Sequence, residues 1–185
     1  RRILIMYFNS IPKIYYDSEN KKQPKVVTNL LRRVGVRAKV KINTALFDTY
    51  RVKAGETPEI IAHKLYGDSE LHWIVMMVND VKDRYHDWPM NNIQFNTFLS
   101  EKYVDSDGNS TVSDAHHYEI EQESGSTKTK IEVTDLINYP SASTVTNYEY
   151  EQKRQDELRE IRLLDPEYVK DFVREYKLLM NESSV

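Results

Sequence analysis

The sequence predicts an α+β protein: a small β-α-α core with an extended N-terminal arm, a β-hairpin insertion and two C-terminal helices. Three observations carry that expectation. Residues 50–79 combine strand alternation, a glycine turn and two helical apolar patterns in one short stretch. The segments HHYEIEQE and KTKIEVTDLI flank the polar turn SGST, as a hairpin does. The last forty residues are rich in helix formers and hold a regular apolar stripe near their end.

The boundaries fall at 1–49 for the arm and a basic strand, 50–103 for the core with its following helix, 104–146 for the hairpin and a linker, and 147–185 for the C-terminal helices. In the arm, ILIMYF is a short apolar lead that suits an edge strand, and a polar segment with two prolines follows. Val26 to Arg33 suits a short helix or turn holding Leu30 and Leu31. From Val34 to Ile42, apolar residues alternate with Gly35, Arg37, Lys39 and Lys41, the pattern of a strand with one buried face and a basic outer face.

Tyr50 and Val52 alternate with Arg51 and Lys53, and Gly55 supplies freedom for a tight reversal. Thr57 is placed to cap a helix whose first residue is Pro58, and Glu59 adds negative charge near the positive end of its dipole. Gly67 ends that helix, and Asp68 or Ser69 caps the next. The second helix carries Leu71, Ile74, Val75 and Val78 at helical spacing, and Trp73, Met76 and Met77 make it apolar nearly all round. Such a helix must be covered on several sides. A loop with Tyr85, Trp88 and Pro89 leads to a helix from about Asn92 to Tyr103. Tyr118 and Ile120 pair by face with Ile131 and Val133 across the hairpin. Tyr139 to Thr146 is a Ser/Thr linker. NYEYEQKRQDELREIRLL is helix-forming but charged nearly all round, which suits a helix bridging solvent or packed on another chain. Asp165 and Pro166 then restart a helix whose apolar face is Val169, Phe172, Val173, Tyr176, Leu179 and Met180.

Composition narrows the function. A net charge of -3 over 185 residues argues for no nucleic-acid partner, although Lys21 to Lys41 contains eight basic residues and no acidic one. That run reads first as a solvated face or one paired with the acidic C-terminal half, and second as a face for phosphate or an acidic protein, with Arg32, Arg33 and Arg37 as candidate partner-interface residues alongside Phe172 and Tyr176. Cysteine is absent, which excludes disulfides and thiolate chemistry. No run approaches the length of a membrane span and no signal peptide is evident, so the chain reads as cytosolic at synthesis. Thirteen tyrosines suit contact surfaces. No nucleophile elbow or phosphate loop is present. Asp105, Asp107 and Asn109 imitate a calcium loop, but Ser110 and His116 stand where Gly and Glu are needed. His116 and His117, as successive strand residues, should point to opposite faces and share no ion. Enzyme activity, metals and cofactors are therefore not expected. Glu56 reads as a turn residue rather than one of a pair of catalytic carboxylates.

The order Tyr50-x-Val52, Gly55-Glu56-Thr57, Ile61-Ala62, Tyr66-Gly67 and closing Asn79 resembles a LysM domain. The resemblance implies a candidate glycan groove at Gly55, Glu56, Thr57 and Asn79. A LysM domain places a second strand soon after that Asn, whereas VKDRYHDWPMNN here is too polar and Pro-interrupted to read as a paired strand.

Over a longer span, four features in order resemble the baseplate wedge proteins of T-even-like contractile-tailed bacteriophages. They are VTNLLRRVGVRAKVKI, GETPEIIAHKLYG with LHWIVMMVND, the loop ending Asp87-Trp88, and YEYEQKRQDELREIRLL with DPEYVKDFVREYKLLM. That resemblance implies a structural virion protein without cofactors, assembled into the tail baseplate in the host cytoplasm. Its partners would be other wedge proteins, neighbouring wedges and sheath-initiator-type proteins, in several copies around a symmetric ring. A peptidoglycan-binding LysM-type module is the alternative.

Overall fold

The computed structural model describes residues 10–17, 24–31, 34–36, 44–124 and 127–181. In chain order the elements are β1 (Lys13–Tyr16), β2 (Lys25–Thr28), β3 (Phe47–Arg51), α1 (Pro58–Tyr66), α2 (His72–Val78), α3 (Asn92–Lys102), β4 (Ala115–Ser124), β5 (Thr127–Val133), β6 (Ser143–Thr146), α4 (Asn147–Arg159), β7 (Glu160–Leu164) and α5 (Val169–Asn181). The fold is α+β with small antiparallel sheets. Two compact units emerge, one made of residues 1–87 and 160–185 and the other of residues 88–159.

In the first unit, β3 pairs antiparallel with β7 in the register Phe47↔Leu164 and Tyr50↔Ile161. The helices α1 and α2 come between these strands in sequence. Thr57 caps α1 by accepting from the Ile60 amide, and Gly67 ends it at φ +72, a left-handed conformation that glycine adopts without a Cβ clash. The Asp68 carboxylate accepts from the Glu70 amide to open the 3-10 turn that leads into α2. As its composition requires, α2 is covered on three sides. It packs against α1 and β7, and Trp73 meets Tyr176 of α5 with ring centroids 4.6 Å apart. Ile61, Ala62, Ile74, Val75, Ile161, Leu163 and Met180 are all buried. In α5 the buried residues Val169, Val173, Tyr176 and Met180 keep to one helical stripe.

Several expectations are corrected here. EIRLL is the strand β7, not the end of a helix. Ile161 and Leu164 fit a helical period while Ile161 and Leu163 fit a strand period, and pairing with β3 decides between them. Val26 to Thr28 belong to the strand β2, because they pair with β1, and the expected turn is confined to Leu30 and Leu31 among the described residues. Val34 to Val36 lie outside any strand, and the rest of that proposed strand lies outside the described residues, as does the whole ILIMYF lead.

In the second unit the sheet order is β5-β4-β6. Tyr118 faces Val133 and Ile120 faces Ile131, as the alternation predicts. The supposed Ser/Thr linker contains β6, which joins the other edge of β4. The helix α3 opens with a capping box between Asn91 and Gln94 and buries Phe95 and Leu99. Phe95 meets Tyr148 of α4 edge-on, with centroids 5.9 Å apart.

Candidate functional sites

The turn after β3 is built around Glu56, which is only 8% exposed. Gly55 takes φ +79 to make the reversal. The Glu56 carboxylate accepts from the Tyr50 hydroxyl at 2.8 Å and from the Lys53 amide at 2.9 Å, and pairs with the Lys64 ammonium of α1. Burial pushes its pKa up, but the bonds from Lys64, Lys53 and Tyr50 outweigh that and hold it at about 2. A carboxyl so low and so engaged ties strand, turn and helix together. It has no proton to donate near neutral pH, unlike the acid of a glycosidase pair.

Asn79 ends α2, and its amide spans to β7. Oδ1 accepts from the Arg162 amide at 2.8 Å, while Nδ2 donates to the Arg162 carbonyl at 2.8 Å and to the Val75 carbonyl at 2.8 Å. The Tyr66 hydroxyl donates to the Leu164 carbonyl at 3.0 Å. Backbone groups of β7 that do not serve β3 are thus met by side chains at the ends of α1 and α2. Of the four candidate groove residues, Glu56 and Asn79 spend their polar atoms inside the protein, and Thr57 caps a helix.

Arg32, Arg33 and Arg37 lie outside the described residues. Tyr176 is buried against Trp73, and Phe172 is half-buried with its ring centroid 6.0 Å from that of Trp73. In the arm, every residue of β1 and β2 is exposed.

The second unit holds polar residues that hydropathy could not reveal. Asn147, Glu151 and Gln155 recur every four residues along α4 and are its buried face. Asn147 Nδ2 donates to the Thr111 carbonyl at 2.8 Å, and Gln155 Oε1 accepts from the Met90 amide at 2.8 Å. Glu151 accepts from Lys102 at 2.6 Å and Tyr103 at 2.9 Å, which together overcome burial and lower its pKa. The helix read as lacking a buried side has a polar one. The i, i+4, i+8 spacing of Asn, Glu and Gln was the available signal.

The expectation that His116 and His117 point apart is also corrected. The β4–β6 register shifts between Ala115 and His117, a bulge that leaves the two Nδ1 atoms 2.8 Å apart. The His116 ring stacks on Tyr150 at 3.8 Å, and His117 Nε2 lies 3.2 Å from Glu119 Oε1. Glu119 is paired by Lys130 at 3.0 Å, the main reason that its pKa is lowered. Among the described residues no group of three or more His, Cys, Asp or Glu side chains is placed to hold a metal ion. Asp105 spends Oδ1 on the amides of Asp107 and Asn109, closing its own turn. No helix among these residues is long and apolar enough to cross a membrane.

Comparison with known proteins gives two matches. Residues 4–139 match the model of the family described as base plate wedge protein 53. The chain is also 30% identical over 86 residues to the baseplate wedge protein gp53 of Enterobacteria phage T4, an alignment covering 45% of this chain and 44% of that relative. The aligned region thus spans less than half the length of the relative.

Proposed function

The chain belongs to the base plate wedge protein 53 family, and on that premise we propose that it joins neighbouring wedges of a phage tail baseplate as a non-catalytic structural component. A structural place in the tail baseplate follows from the family. The finer reading concerns what this chain does there: it joins wedges into a ring around a central hub, in several copies, against other wedge proteins and sheath-initiator-type proteins. The observation that carries it is the β1–β2 hairpin, whose two strands are exposed at every residue. Ile14, Tyr15, Val26 and Val27 of that hairpin leave apolar surface for other molecules to cover. A ring repeats each contact around its axis, so a modest surface per copy suffices.

Sedimentation of purified wedges with and without this protein tests the proposal. Ring-sized particles should form only with it, and equal ring formation in its absence overturns it.

The alternative, a peptidoglycan-binding LysM-type module, draws on one observation. The strand–helix–helix–strand order is completed by β7, so the paired strand missing after Asn79 is supplied later in the chain. Against it stand Glu56 and Asn79, whose hydrogen-bonding atoms are committed internally. Retention on purified cell-wall sacculi at moderate salt would favour this alternative, and absence of retention favours assembly.

A further inference from the structure

The hairpin arm is a two-stranded sheet with both faces in water. Its register sets Tyr15 opposite Val26 on one face and Ile14 opposite Val27 on the other. Tyr15 is 79% exposed and Val26 56%, and beyond β2 the chain presents Leu30 and, at 90% exposure, Leu31. An isolated hairpin of this length is marginal in water, and clustered aliphatic side chains at such exposure mark a surface that another molecule covers.

The charge around it is one-sided. Residues 12–41 contain nine Lys and Arg against Asp17 and Glu19. Lys13 and Lys25 sit within the strands themselves. Elsewhere many carboxylates are already matched inside the chain: Glu56 by Lys64, Glu119 by Lys130, Glu151 by Lys102 and Asp171 by Arg174. Among the described residues no ion pair joins Lys13 or Lys25 to a carboxylate of this chain, which leaves both amines for another polypeptide.

We infer that the β1–β2 arm is a docking element for an acidic protein surface on a different baseplate subunit, which buries the Tyr15–Val26 face and pairs Lys13 and Lys25 with carboxylates. The inference rests on the baseplate reading above and adds the element and the chemistry of its partner. A nucleic acid matches the charge but offers no apolar surface for Val26, Val27, Leu30 and Leu31, so a protein fits both properties. Association steered by such charge weakens as salt rises.

The test uses assembled baseplates from the phage that carries this protein. A zero-length carbodiimide links an amine only to a carboxylate in contact with it, and mass spectrometry locates the bond. Lys13 or Lys25 should link to Asp or Glu of a different polypeptide. Links confined to this chain or to a second copy of it, or no link at either lysine while Lys128 couples to Glu121 or Glu123, overturn the inference. A double variant, Tyr15→Asp with Val26→Asp, should keep the circular dichroism of the native chain yet lose at least tenfold in incorporation into wedges. Full incorporation of that variant also overturns it. Cross-links present without ring formation would refute wedge joining alone; rings that assemble with the arm unlinked would refute the arm's role alone.

Discussion

Asn79 and Arg162, 83 positions apart, are hydrogen-bonded as two neighbouring strand residues would be, with the side-chain amide of one imitating a peptide group to the backbone of the other. This link holds the end of α2 to β7 and closes the chain's excursion through the second unit. It also accounts for the absence of a paired strand directly after Asn79: the strand that pairs with β3 begins only at Glu160.

Replacing Asn79 by Ala removes three hydrogen bonds and leaves the Arg162 and Val75 groups to find other partners. The loss should be about 2–3 kcal/mol of unfolding free energy, read as a lower denaturant midpoint with an unchanged slope. Asn79→Asp should be at least as damaging, because its carboxylate would face the carbonyls of Val75 and Arg162 where an NH2 group now donates.

Glu56 should make stability depend on pH at the acid end. Its folded pKa of about 2 lies below the ordinary value of 4.5, so its contribution is complete above about pH 4.5 and is lost as pH falls through 2. The difference in unfolding free energy between the native chain and Glu56→Gln should be constant from pH 7 to pH 5 and shrink toward pH 2. A difference that grows on acidification would contradict the assignment.

Glu151→Ala should destabilise the second unit by about 3 kcal/mol, since it strips Lys102 and Tyr103 of a buried partner. Glu151→Gln should cost less, because its amide oxygen still accepts. Amide exchange on α3 and α4 would show the difference locally.

Excising residues 88–159 and joining the ends through a flexible linker of about six residues should leave the first unit folded, because loop closure changes only slowly with length. Retained cooperative unfolding and a near-ultraviolet signal from Trp73 against Tyr176 are the expected observations. A chain without fixed tertiary packing would show that the two units do not fold separately.

Local chemistry was legible wherever a residue's role depends on near neighbours. The Thr57 and Asp68 caps, the Gly55 and Gly67 reversals and the helix that starts at Asn92 form as their sequences demand. So does the Tyr118–Val133 hairpin register. The candidate sites were less legible. Asn79 was singled out as a groove residue, and nothing local shows that its amide would be consumed by Arg162. Glu151 was hidden because buried polar side chains leave no hydropathy signal, and His116 because a bulge cancels the two-residue alternation of a strand.

By itself the sequence determined the α+β class, the caps and turns of the two small helices and the family resemblance, because each depends on residues within a few positions of one another. Only the tertiary structure decided that EIRLL closes a sheet with β3, that α4 turns a polar face inward, and that the hairpin arm stands exposed. Those outcomes depend on which distant backbone and side-chain groups become partners, and short-range periodicity does not encode that choice.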